Sequence, residues 1–155
     1  MTISYFDSSA LVKKYVHENG SKWIRDKVSS VSTGNIIVVS NIAHVEVVAT
    51  IARRLGNSGR QAINVFKYDI AELFENYYVE KIHLKDAMEI SEKHRIRGYD
   101  AIHLAMACKY NSTLKSLPSP SQSIIFVSAD NDLNNAAASE SLLVENPENY
   151  PDPQD

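Results

Sequence analysis

Three short runs, residues 3–6, 36–39 and 124–127, are apolar at almost every position, and each is followed at once by Asp or Ser. Apolar runs that do not alternate with polar residues suit strands covered on both faces, as in a parallel sheet. Residues 77–79 and 142–144 add two further strand-like runs. Helical patterns fill the gaps: "SALVKKYV", "SKWIRDKVS", "NIAHVEVVATIARRL", "SGRQAINVFKYDIAELFENY", "LKDAMEISEKHRI" and "DAIHLAMACKY". The third places Ile42, Val45, Val48 or Ala49, Ala52 and Leu55 at helical spacing and stops at Gly56; the fourth does the same with Ile63, Phe66, Ile70 and Phe74. Strands alternating with helices predict an α/β domain with a mainly parallel sheet and helices on both faces.

At 155 residues the chain has enough length for one domain and a sizeable core. We expect that domain over residues 1–145, followed by an acidic, Pro-rich and loose tail over 146–155, which holds three of the five prolines. Residues 111–123, "NSTLKSLPSPSQS", read as a surface loop. The single cysteine, Cys108, excludes an internal disulfide and a cysteine metal cluster and favours a reducing setting. Asp7 interrupts the first apolar run before a signal-peptide core develops, and no run is long enough to span a bilayer, so we expect a cytoplasmic protein with no membrane partner. The net charge of −3 gives no global attraction for nucleic acid, although a local basic patch can still steer one.

The informative residues are four acids. In an open parallel sheet, ligands gather outside the carboxyl ends of the strands. Asp7 follows the first strand, Asp130 follows "IIFVSA" with Asp132 two residues on, Asp100 begins a helix, and Glu46 lies in the second turn of the helix after "VVS". Singly, Asp7, Asp100 and Asp130 also read as turn formers or helix N-caps, and Glu46 as a solvated position on the side shared with Ala43, Thr50 and Arg53. Brought together, carboxylates repel and require a proton or a cation. All-oxygen ligands select a hard ion, Mg²⁺ or Mn²⁺, over zinc. Such a cluster suits hydrolysis of a phosphodiester, in which the cation activates water and neutralises developing charge. His17, His44, His83, His94 and His103 form no zinc signature and read as surface or half-buried structural residues.

Four segments, "YFDSSALVKKYVHENGS", "VVSNIAHVEVVATIARRL", "RGYDAIHLAMA" and "FVSADNDLNNAA", resemble in order and spacing the signature segments of PIN domains. The likeness is greatest to the toxin ribonucleases of VapBC-type toxin–antitoxin pairs and runs from the first strand to about Leu143. The resemblance implies a three-layer α/β/α sandwich with Mg²⁺ or Mn²⁺ held by Asp7, Glu46, Asp100 and Asp130, with Asp132 as a further candidate. It implies supporting roles for Ser8, next to the first acid, and for Ser128. It also implies an RNA substrate, a small cognate antitoxin and a homodimer. Asp100 or Asp130 would position or deprotonate the attacking water. Candidate phosphate contacts are Lys13, Lys14, Arg53, Arg54, Arg95 and Arg97, of which Arg97, three residues before Asp100, is foremost.

Two other readings compete. An aspartate-nucleophile phosphatase also places Asp after its first strand, but it wants a second acid two residues later, where this chain has Ser9. A non-catalytic PIN-like module would keep the acidic frame and only bind a partner.

Overall fold

All five strands run parallel. They are β1 (Ile3–Phe6), β2 (Ile36–Ser40), β3 (Glu75–Tyr77), β4 (Ile125–Val127) and β5 (Leu143–Glu145), in the order β3-β2-β1-β4-β5. The computed structural model describes residues 1–118 and 123–153. Between the strands lie α1 (Ser8–Leu11), α2 (Ser21–Ser29), α3 (Asn41–Leu55), α4 (Arg60–Glu72), α5 (Lys81–His94), α6 (Gly98–Lys115) and α7 (Asn131–Ser139).

Each central strand buries both faces, as its unbroken apolar run requires. Ile3 and Tyr5 of β1, Val38 of β2 and Phe126 of β4 join residues of α5, α6 and α7 in one core. Phe6, Ile37, Val39 and Val127 point the other way and meet α1, α2, α3 and α4 in a second. The result is a three-layer α/β/α sandwich. Each fully buried side chain of this size contributes roughly 1.5–3 kcal/mol, which is why the alternation across the pleat fixes the register so firmly.

The strand order decides where a ligand can sit. From β1 the chain steps outward to β2 and β3, then crosses back to β4 on the opposite side of β1. The helix after β1 lies on one face and the helix after β4 on the other. Their connections therefore diverge and leave a crevice at the carboxyl ends of β1 and β4.

Several details differ from the sequence reading. β3 and β5 begin at Glu75 and Leu143, against the expected 77 and 142. The buried stripe of α3 is Ala43, Val47 and Ile51, while Val45 is 72% exposed and Ala52 and Leu55 also face outward. The chain carries two adjacent apolar stripes at helical spacing, and the sequence spacing alone does not choose between them. α6 starts at Gly98, so Asp100 sits in its first turn and Arg97 takes the cap position. At the other end α6 runs through Lys115, so residues 111–115 of the expected loop are helical. Asn111 is buried there and accepts a hydrogen bond from Ile124 N at 3.0 Å. Residues 119–122 of that loop lie outside the described residues.

The Pro-rich end is not loose through residue 152. Asn146 Oδ1 accepts from Glu148 N and starts a 3₁₀ turn over Pro147–Asn149. Tyr150 stacks on Trp23 of α2, with ring centroids 4.9 Å apart, and Asp152 Oδ1 accepts from Lys22 N at 2.8 Å. Gly20, at the cap of α2, makes room for this segment. It has φ +83°, and a Cβ there would collide with the Pro147 carbonyl.

Candidate active site

Asp7 is delivered to the crevice by β1 and is 3% exposed. Its Oδ1 accepts from Ala10 N at 2.9 Å, so it is the N-cap of α1. Two hydroxyls complete its surroundings: Ser9 Oγ donates at 2.8 Å to Oδ1, and Ser128 Oγ donates at 2.6 Å to Oδ2. The same two oxygens accept from the chain after β4, Ser9 Oγ from Ala129 N at 2.9 Å and Ser128 Oγ from Asp130 N at 3.0 Å. The ends of β1 and β4 are thus tied through one carboxylate. Burial pushes the Asp7 carboxyl above the ordinary aspartate range; nearby His103 and the bonds from Ser128, Ala10 and Ser9 only partly oppose it.

Asp130 caps α7 as Asp7 caps α1, its Oδ1 accepting from Asp132 N and Leu133 N. Its other oxygen, Oδ2, accepts from Arg97 at 3.4 Å, and Arg97 Nε also donates to Asp100 Oδ2 at 3.1 Å. One guanidinium therefore bridges two carboxylates. The Asp100 carboxyl is raised, chiefly by burial, with Arg97 pulling it back.

Glu46 projects from α3 with its Oε1 2.6 Å from His103 Nε2. His103 lies one turn beyond Asp100 on α6 and is 1% exposed. Its Nδ1 is 3.0 Å from the Tyr5 hydroxyl and 3.4 Å from Ser40 Oγ. The expectation of a surface or half-buried role does not hold for this histidine, nor for His83, also 1% exposed. The i, i+3 spacing from Asp100 was the available signal, since it sets both residues on one helix face.

Asp7, Glu46, Asp100 and Asp130 all line a single cleft of about 220 Å³, together with Ser8, Ser9, Arg97 and Tyr99. The donor set is oxygen only, the preference of Mg²⁺ or Mn²⁺. Asp7 is a buried anion that hydrogen-bonds to hydroxyls and an amide but to no cation among the described residues, which is the deficit that a bound cation would relieve. In their present positions, no three His, Cys, Asp or Glu side chains among the described residues are grouped closely enough to hold an ion. Arg97 supplies positive charge to Asp100 and Asp130 there, and its side chain is 82% exposed.

Residues 4–139 match the family model of the PIN domain. The chain belongs to the PIN-domain family. No curated protein shows significant sequence similarity to it. Among solved structures, this PIN domain resembles VapBC2 from Rickettsia felis, bound to a DNA fragment from its promoter, with 12% identity, TM-score 0.66, and coverage of 94% of this chain and 98% of that one. It also resembles FitAcB from Neisseria gonorrhoeae, with 16% identity, TM-score 0.62, and coverage of 94% and 98%. At such identities the likeness is one of fold.

The remaining candidates of this PIN domain separate into distinct groups. Ser8 lines the cleft, but Ser9 is the serine that holds Asp7, a contact visible beforehand only as the i+2 spacing of "DSS". Asp132 does not line the cleft that holds all four acids but faces a neighbouring groove that it shares with Asp100, Asp130 and Arg97. Lys13 is 2% exposed and bridges Glu18 at 2.9 Å and Glu148 at 3.0 Å. Lys14 pairs with the buried Asp69, and Arg54 with Glu18. Arg53 and Arg95 are exposed, and Arg53 flanks the cleft in a groove that also contains Arg97 and Asp130.

Proposed function

We propose that this PIN domain is a Mg²⁺- or Mn²⁺-dependent endoribonuclease and the toxin of a type II toxin–antitoxin pair. The observation that carries the reading is the convergence of Asp7, Glu46, Asp100 and Asp130 on one cleft at the strand-order crevice. These four residues would hold the cation. When bound, it supplies activation of water and neutralisation of charge on the phosphodiester. Ser9 and Ser128 keep both Asp7 oxygens in place. Asp100 or Asp130 positions the attacking water or takes its proton. Arg97, released from its carboxylates, reaches toward a substrate phosphate, with Arg53 and Arg95 on either side. Lys13 and Lys14 are already engaged in ion pairs and have structural roles instead.

The likeness to VapBC2 and FitAcB supports a small antitoxin partner. Exposed Leu84 and Met88, beside Ile102 in a groove between α5 and α6, support a homodimer. No helix among the described residues is long and apolar enough to cross a membrane, in keeping with a cytoplasmic setting. The phosphatase alternative is disfavoured because Ser9 hydrogen-bonds both Asp7 oxygens, which restrains a carboxylate instead of freeing it as a nucleophile.

The test is cleavage of a mixed RNA pool by purified, partner-free protein, with and without Mn²⁺ or Mg²⁺. Metal-dependent cleavage lost in Asp7→Asn and Asp100→Asn is expected. No metal-dependent cleavage of any RNA would leave the binding-module alternative in possession.

A further inference from the structure

The buried line Tyr5–His103–Glu46 has a direction. Tyr5, in the central strand, is fully buried; His103 is 1% exposed; the Glu46 side chain, at the cleft, is 27% exposed. Glu46 as a carboxylate can only accept, so His103 Nε2 donates to Oε1 across 2.6 Å. In the neutral ring Nδ1 is then the acceptor, and the Tyr5 hydroxyl donates to it across 3.0 Å, with Ser40 Oγ beside it at 3.4 Å. The Glu46 carboxylate sets the tautomer, and Tyr5 and Ser40 hold the ring's orientation from the core side. Glu46 Oε2 makes no hydrogen bond among the described residues and is the oxygen left for the cleft.

We propose that His103 is a positioning residue for Glu46. It pins one carboxylate oxygen so that the other is presented to the cation, and Tyr5 and Ser40 lock the imidazole that does so. A glutamate on a helix has three side-chain torsions, and a short bond to a buried, doubly anchored ring removes most of that freedom before any ligand arrives. Outer hydrogen bonds of this kind commonly change metal affinity by about 10–100-fold. The inference rests on the reading of Glu46 as a cation-holding carboxylate. It adds the group that makes this glutamate, on the far wall from Asp7, usable.

The experiment is calorimetric titration of Mn²⁺ into partner-free protein, with thermal melts run in parallel. His103→Leu is expected to weaken Mn²⁺ by about 10–100-fold. His103→Gln, which returns an N–H donor near the Nε2 position, recovers most of the loss. Tyr5→Phe removes only the hydroxyl, keeps the stack on Phe126, and weakens Mn²⁺ in the same direction by less. In a Glu46→Gln background, His103→Leu adds no further loss, because the two act as one unit. Should the leucine variant not fold, Tyr5→Phe decides: unchanged Mn²⁺ affinity overturns the proposal. Losses that simply add with Glu46→Gln, or that track melting temperature and not carboxylate presence, overturn it as well. If Asp7→Asn and Asp100→Asn weaken Mn²⁺ while the His103 variants do not, the positioning role fails and the metal site stands. If the wild-type protein takes up no Mn²⁺, both fall.

Discussion

Asp7 does two things that compete in sequence but not in space. One oxygen caps α1 and the other accepts from Ser128 across the crevice, so capping the turn and the proposed role in the site are compatible. The arrangement has a stability cost. Burial raises the Asp7 carboxyl above its unfolded value of about 3.9, so its contribution to stability is greatest at acid pH and declines as pH rises through the raised folded value. Asp7→Asn removes that penalty while its side-chain oxygen still accepts from Ala10 N. In chelator-treated protein at neutral pH, it should raise the thermal midpoint by a few degrees and flatten the dependence of the midpoint on pH. A lower midpoint for Asp7→Asn at pH 7 would contradict this. Ser128→Ala should act oppositely. It removes a donor to Asp7 and leaves Asp130 N without its acceptor, at a loss of about 1–3 kcal/mol by urea denaturation.

At the level of elements, the site is a property of helix starts. Asp7 and Asp130 cap α1 and α7, Asp100 lies in the first turn of α6, and Glu46 is one turn into α3. Because caps and first turns carry a recognisable residue preference, these acids were legible from sequence, as were the strands that deliver them. The face of α3 was not, because two adjacent apolar stripes, Ile42–Val45–Val48–Ala52–Leu55 and Ala43–Val47–Ile51, both satisfy helical spacing, and periodicity alone does not choose between them. Ile51→Ala should therefore cost about 2–5 kcal/mol in chemical denaturation, and Val45→Ala almost nothing. His103 was legible only in part, through its i, i+3 spacing from Asp100. Its role depends on Tyr5 and Ser40, which lie on strands far away in sequence, and no local pattern reports such a meeting. The basic residues misled in the other direction. Lys13 and Lys14 read as candidate phosphate contacts, yet one is held between Glu18 and Glu148 and the other against Asp69.

Across the whole molecule, a net charge of −3 sits with a cleft lined by four carboxylates, so under the proposed function a substrate phosphate would reach it favourably only once a cation and the flanking arginines offset that field. The C-terminal segment packs against residues 13–23, where Gly20, Lys13 and Trp23 receive Pro147, Glu148 and Tyr150. Gly20→Ala combines an unfavourable φ with a collision at the Pro147 carbonyl and should lower stability by more than about 1 kcal/mol, beyond the ordinary cost of a left-handed alanine. Ending the chain at Glu145 should do the same by leaving the buried Lys13 ammonium short of one of its two carboxylates. This seam also gives the molecule an optical gauge. Trp23 is its only tryptophan, and Tyr150 lies flat against it at an interplanar angle of 3°. Trimming the last residues, or a partner that peels them away, would therefore register as a change in indole emission from a single known place.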